Sequence, residues 1–366
     1  MEVFTAKNIT FSLVSDDEIQ ELLAHIKKIM QENNSHNLSI FSEKLWRWQY
    51  RTLPSSKSYV FVAKYNGVIS GYYHAPIYNF MLNGQEKTVA MVQDVAISER
   101  LRGQGIFRRL AEFAHLHFST ENIDFIYTFP NKLSIHNFLK YDKYNKVANI
   151  GVYIRPLKTS AIISSKIRLF GLEKPAGFIA DTLLNFFKQK KDTGCRVGIN
   201  KNFSPEIVLL FEQFTSSHKI TLLRNEAWLK WRFLEKPNSQ HYILSLTNSS
   251  KVLAVAIFKA DVILGNPALI LMDFAFLLNH EASLLQIIQE VAINHKKLLD
   301  KNINLIFACS LHPVIKKLCK IGFIRLPKRF VTREFNLLSR TINLQNDEPL
   351  KTPENWHITL ADWDVF

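Results

Sequence analysis

Ser98-Glu99-Arg100-Leu101-Arg102-Gly103-Gln104-Gly105-Ile106-Phe107-Arg108-Arg109-Leu110 is the stretch on which the reading of this chain turns. It follows Thr88–Ile97, which reads as a strand, and leads into apolar positions at Ile106, Leu110, Phe113, Ala114 and Phe118, spaced as one helix face. The chain holds only 12 glycines in 366 residues, yet Gly103 and Gly105 are nearly adjacent. Glycine there permits a tight turn and a close backbone approach to a ligand. The first amides of the following helix lack intrahelical partners and lie at the positive end of its dipole. Such a junction binds phosphate, with Arg100 and Arg102 adding charge at its rim. It is neither a Walker A loop, since no Gly-Lys-Ser/Thr follows, nor a G-x-G-x-x-G fingerprint.

Upstream, Ile19, Leu22, Leu23, Ile26, Ile29 and Met30 predict an amphipathic helix over Asp16–Gln31. Asn66-Gly67 between Tyr59–Tyr65 and Val68–Tyr73 predicts a hairpin, and Asn83-Gly84 a second one. Downstream, the chain repeats itself. Arg47-Trp48-Gln49-Tyr50, Val92–Ile97 and Ile123–Lys140 are echoed in the same order by Lys230-Trp231-Arg232-Phe233, Leu271–Phe276 and Ile303–Lys320, about 180 residues on. The expectation is two tandem α/β domains, 1–156 and 208–340, each a mixed, mostly antiparallel sheet flanked by helices. A connecting segment (157–207) lies between them and a tail strand (341–366) closes the chain. Phe178, Ile179, Leu183, Leu184, Phe186 and Phe187 beside Lys188-Gln189-Lys190-Lys191 predict a helix packed between the copies, in preference to one lying on an anionic membrane.

Lys and Arg number 46 against 32 Asp and Glu, a net charge of +14 that favours anionic partners without choosing among them. No RNP, KH or zinc-knuckle pattern accompanies the lysines, so nucleic acid is not expected. The three cysteines rule out a disulfide framework. Cys309, His312 and Cys319 match no zinc spacing, and no metal is expected. The N-terminus lacks a signal-peptide pattern and no apolar run suits a membrane span, which predicts a cytoplasmic protein.

Arg100-x-x-Gly103-x-Gly105 between a strand and a helix resembles the pyrophosphate loop of the GNAT superfamily of acyl-CoA N-acyltransferases. The resemblance extends through a strand at Phe125–Phe129 and a helix opened by Asn131-Lys132-Leu133-Ser134 and ending near Tyr141. It implies that pantetheine lies where two strands splay apart, bonded to main chain at Val95 and Ile97 and to the Asn131 side chain, with Ser134 also in the cofactor site. It also implies that the amides from Arg102 through Gly103, Gln104, Gly105 and Ile106 to Phe107 hold the pyrophosphate. A strand N–H would then polarise the thioester carbonyl. The second copy has Leu277-Leu278-Asn279-His280 in place of the loop and Leu311 in place of Asn131, which predicts one acyl-CoA site per chain.

The proton carriers are less determined. Where the family commonly has a Tyr acid, seven residues beyond Asn131, this chain has Phe138; Tyr141, His136 and Tyr127 are the substitutes. Asp94 and His74 are the candidate bases, although Asp273 in the loop-less copy also suits a structural role for that Asp. Some tandem members place their own terminal carboxylate in the site, which adds Phe366, with Asp362 and Asp364. The resemblance implies an acetyl-CoA-dependent N-acetyltransferase in which a small-molecule amine attacks directly. An amino sugar, free or nucleotide-linked, is the first acceptor, ahead of other amines, aminoglycosides or protein lysines. A non-catalytic acyl-CoA-binding module is the alternative, and the sequence is compatible with a homodimer.

Overall fold

The computed structural model describes residues 8–32, 42–158, 194–249, 251–263, 265–331 and 333–363. The chain divides into two compact units, residues 1–149 with 333–353, and residues 150–332 with 354–366. The first opens with β1 (Ile9–Leu13), α1 (Ile19–Glu32), α2 (Glu43–Arg51), β2 (Ser58–Tyr65), β3 (Val68–Leu82) and β4 (Gln85–Ile97). It continues with α3 (Ile106–Thr120), β5 (Phe125–Thr128), α4 (Ile135–Lys140) and β6 (Asn145–Asn149). The second holds β7 (Val152–Pro156), β8 (Arg196–Asn200), α5 (Pro205–Ser216), β9 (Ile220–Leu222), α6 (Glu226–Phe233), β10 (His241–Asn248) and β11 (Lys251–Ile263). Then follow β12 (Asn266–Phe276), α7 (Glu281–Leu299), β13 (Leu305–Cys309), α8 (Val314–Lys317) and β14 (Ile324–Arg325). β15 (Asn336–Thr341) and α9 (Glu348–Lys351) return to the first unit, and β16 (Trp356–His357) belongs to the second.

The first sheet runs β1-β2-β3-β4-β5-β15-β6 and the second β8-β10-β11-β12-β13-β7-β14. Only β4–β5 and β12–β13 are parallel along these two paths. The internal repeat is therefore a repeat of topology. Each sheet takes one strand from the other half of the sequence: β15 lies between β5 and β6, β7 between β13 and β14. The boundaries read at 156 and 340 thus differ from the units, because long-range pairing rather than local sequence assigns these two strands. The expected tail strand is a two-residue strand, β16, parallel to β9. The connecting helix expected around Phe178–Lys191 lies outside the described residues.

Local chemistry explains the elements. Asn66-Gly67 and Asn83-Gly84 have φ of 51° and 79°, and 50° and 80°, as the I′ hairpin turn requires. β3 runs past Tyr73 to Leu82, and nearly all of it is buried, so the two-residue alternation that would have revealed its length is missing. On one sheet face, Ile106, Leu110, Ala114 and Phe118 of α3 pack against Phe61, Tyr73, Ala90 and Val92. On the other, Leu22, Ile26 and Ile29 of α1 and Trp46 and Tyr50 of α2 pack against Val60, Val62 and Tyr72. Full burial of one such side chain contributes about 1.5–3 kcal/mol.

A polar cluster lies inside the first unit. Arg340 Nη1 donates to Asp142 Oδ1 at 3.0 Å, and His115 Nδ1 lies 3.4 Å from the same oxygen. Burial raises the Asp142 carboxyl to about 7, against the pull of Arg340. Burial, with Arg340 nearby, lowers the His115 imidazole to about 3. Among the described residues, no helix is long and apolar enough to cross a membrane.

Candidate active site

The loop after β4 begins with a turn of 3-10 helix at Glu99–Leu101, then Gly103 and Gly105 with φ of 76° and 73°. A Cβ at either glycine would meet nothing within 4 Å, so conformation rather than space demands glycine here. Arg102 N donates to Glu99 O at 3.1 Å, and the first bond into α3 is Arg109 N to Gly105 O at 3.2 Å. The amides of residues 103–108 take no main-chain partner among the described residues, and Gly105 caps the helix without a side-chain bond. The set expected from Arg102 to Phe107 thus moves on by one residue, because the Arg102 amide closes the preceding turn. Arg102 is exposed, whereas Arg100 turns back, its Nη2 3.4 Å from Ser70 Oγ and its guanidinium over the Tyr65 ring. Gln104 braces the loop through Nε2 to Arg100 O at 3.1 Å. Ile106 is buried in the core and Phe107 packs edge-on against Phe138.

β4 and β5 are paired from Val89↔Phe125 to Val92↔Thr128 and no further. Beyond that point β4 continues through Val95 and Ile97 while β5 gives way to Phe129-Pro130-Asn131, and a gap opens between them. Asn131 Oδ1 accepts from Leu133 N at 2.9 Å, Ser134 N at 3.0 Å and Ser134 Oγ at 3.1 Å. That bonding fixes the side chain at the start of α4 and fixes which end is oxygen. The Nδ2 donor has no partner among the described residues. These features fit a pantetheine chain in the gap and a diphosphate at the loop.

A bulge interrupts β4 at the same level. Tyr72 pairs with Ala96 and His74 with Gln93, leaving Asp94 and Val95 opposite the single residue Tyr73. Asp94 has φ 47°, a left-handed conformation that Asp tolerates better than most residues. Its side chain is exposed, and Tyr50 Oη donates to Asp94 Oδ2 at 2.5 Å, with Gln93 Nε2 3.2 Å from the same hydroxyl. His74 is fully buried: Trp46 Nε1 donates to its Nε2 at 3.0 Å, and its Nδ1 lies 3.0 Å from Asp94 O. The indole N–H can only donate, so Nε2 is the acceptor and Nδ1 carries the hydrogen. Burial also lowers the pKa of His74. With both nitrogens engaged, His74 has no lone pair for an acceptor amine, which removes it as a base. Phe138 is buried between Phe107 and Tyr144. Tyr141 is 44% exposed at the end of α4, beside His136 and Lys140. Phe366 and Asp364 lie outside the described residues.

Residues 10–143 match the family described as acetyltransferase (GNAT) domain. That match spans 134 of the chain's 366 residues and lies within the first unit. A GCN5-related N-acetyltransferase from Anabaena variabilis is similar in fold, with TM-score 0.64 at 13% identity over 92% of this chain and 73% of that one. Saccharomyces cerevisiae N-myristoyltransferase with bound myristoyl-CoA gives 0.62 at 11% over 92% and 83%. A tandem GNAT protein from the clavulanic acid biosynthesis pathway gives 0.59 at 9% over 92% and 100%. A search of curated protein sequences finds no match.

The second unit repeats the strand order of the first and differs at the position of the loop and the gap. β12 and β13 are paired only as far as Leu271↔Ala308, so the corresponding gap opens there as well. The chain's own C-terminal segment fills it. Leu311 N and Ser310 Oγ both donate to Ile358 O, at 3.0 Å and 2.6 Å, and Thr359 Oγ1 donates to Asp273 Oδ1 at 3.0 Å. Arg224 anchors the segment, with Nε 2.7 Å from Asp273 Oδ2 and Nη2 2.9 Å from Asp362 Oδ2, all three side chains fully buried. Asp273, the counterpart of Asp94, is therefore half of a structural ion pair, and Asp362 is committed to the same arginine rather than to an acceptor. Tyr50, Gln93 and Trp46 were not foreseen. A signal was present, since the alignment of the repeats puts Phe233 at Tyr50 and Leu229 at Trp46.

Proposed function

We propose that the first unit transfers an acetyl group from acetyl-CoA to the amine of a small acceptor, with one acyl-CoA site per chain. The observation that carries this reading is the row of unpartnered amides at 103–108 beside the gap between β4 and β5. Six such N–H groups at a helix N-terminus suit a diphosphate. The Asn131 Nδ2 donor suits an amide of pantetheine.

Asp94 serves as the base. Tyr50 holds its Oδ2, leaving Oδ1 to take a proton from the acceptor nitrogen. The nitrogen forms its bond to the thioester carbonyl carbon as the carbon–sulfur bond breaks, and the leaving CoA thiolate takes up a proton. With Phe138 buried where the family commonly carries Tyr, Tyr141 is the proposed donor of that proton; solvent reprotonates Tyr141 and receives the proton that Asp94 took. The surplus of positive charge, +14 in all, supports an acceptor with an anionic group beside its amine. An amino sugar linked to a nucleotide has that chemistry.

The test is thiol release from acetyl-CoA with a panel of amines that includes glucosamine and UDP-linked amino sugars. Release that depends on the amine supports the enzyme. Tight acetyl-CoA binding with no release for any amine would favour the binding module instead.

A further inference from the structure

Building on the acyl-CoA reading, we infer that His74, held in one tautomer by Trp46, is a positioning residue that turns the Asp94–Val95 peptide so that the Val95 N–H faces the acyl carbonyl. The bulge alone does not orient this peptide. Its carbonyl accepts from His74 Nδ1 at 3.0 Å, and in a planar trans peptide the following N–H points the opposite way. The Val95 N–H therefore leaves on the side away from the imidazole, at the level where β5 no longer pairs with β4 beyond Val92↔Thr128. The ring cannot turn over without loss. Flipping it would take its acceptor from the Trp46 N–H and bury both groups unsatisfied, and Trp46 is only 4% exposed. Tyr50 lies tilted against the ring at 4.4 Å between centroids and ties the Asp94 carboxylate as well, so one aromatic cluster fixes both ends of the residue.

The left-handed φ of Asp94 is a strained setting for a side-chain-bearing residue, and strain persists only where the surroundings hold it. The loop-less second unit lacks the whole device. Leu229 and Phe233 replace Trp46 and Tyr50, and Leu253–Phe258 of β11 offers no imidazole. Its Asp273 is held by an arginine instead.

The experiment follows the Val95 amide by NMR in valine-labelled full-length protein, titrated with CoA and then with acetyl-CoA. The wild type is expected to show a downfield shift of the Val95 N–H on exchange of CoA for acetyl-CoA. His74→Leu should lose that shift while binding CoA with unchanged affinity, and His74→Asn, which retains an N–H donor, should restore part of it. Trp46→Phe, a milder change, should weaken it and serves as the test if His74→Leu does not fold. A shift that persists in the folded His74→Leu or Trp46→Phe protein overturns the inference. CoA binding with an unmoved Val95 in the wild type overturns the positioning role alone. Absence of CoA binding in the wild type overturns the acyl-CoA reading together with it.

Discussion

Asp142 and His115 should give the first unit opposing pH dependences that a pair of substitutions can separate. Asp142 titrates at about 7 in the folded chain, and an unfolded Asp at about 3.9. Between those values the native state holds a proton that the unfolded state has lost, so stability falls as pH rises, by about 1.4 kcal/mol per unit. This contribution is fully present below pH ~4 and is gone above ~7, a total of about 4 kcal/mol. His115 behaves in reverse: it is neutral in the fold down to about 3, while an unfolded His protonates near 6.5. Its contribution is present above pH ~6.5 and is lost as pH falls toward ~3 at the same slope. From about 4 to 6.5 the two slopes cancel. The assay is urea unfolding at half-unit pH steps, read as the difference between variant and wild type so that all other groups drop out. Asp142→Asn should gain on wild type by about 1.4 kcal/mol per unit as pH rises through that window, and His115→Gln should lose by the same slope. Variants whose profiles run parallel to wild type would refute the assignment of these two groups as the buried titrating pair.

Asp94→Asn should lower kcat by about two to four orders of magnitude and leave the dissociation constant for acetyl-CoA unchanged, measured by thiol release and calorimetry. Arg224→Met should destabilise by about 3–5 kcal/mol in urea unfolding, since it strands Asp273 and Asp362 as buried charges. Phe138→Tyr, which restores the side chain that the family commonly carries, should not raise kcat. It should instead cost about 1–3 kcal/mol of stability by burying a hydroxyl between Phe107 and Tyr144.

What the sequence revealed and what it hid divide along the range of the contacts involved. Gly103 and Gly105 are legible because their positive φ is a local demand that glycine meets best. The duplication is legible because both copies must build the same sheet. The exchange of β7 and β15 is not, because a strand's own residues do not say which of two like edges it will join. His74 misleads for the same reason. On a strand a lone histidine reads as a candidate base or as a polar core residue, and only the indole of Trp46, 28 residues away, makes it a donor to main chain. The filled gap of the second unit depends on Ile358 and Thr359 reaching Ser310, Leu311 and Asp273, which no local pattern announces. Tyr50 could have been found, since its hydroxyl is replaced by Phe233 in the copy that lacks the loop.

Isothermal titration of acetyl-CoA into the wild type and into Gly105→Val most directly tests whether amides freed at the start of α3 hold the cofactor. Valine is strained at a φ of 73° by about 1–2 kcal/mol, while the open space around Gly105 leaves the fold intact. The account predicts one acetyl-CoA per chain in the wild type and an affinity reduced about tenfold or more in the folded variant. Two equivalent sites per chain, or an affinity that the valine leaves untouched, would contradict it.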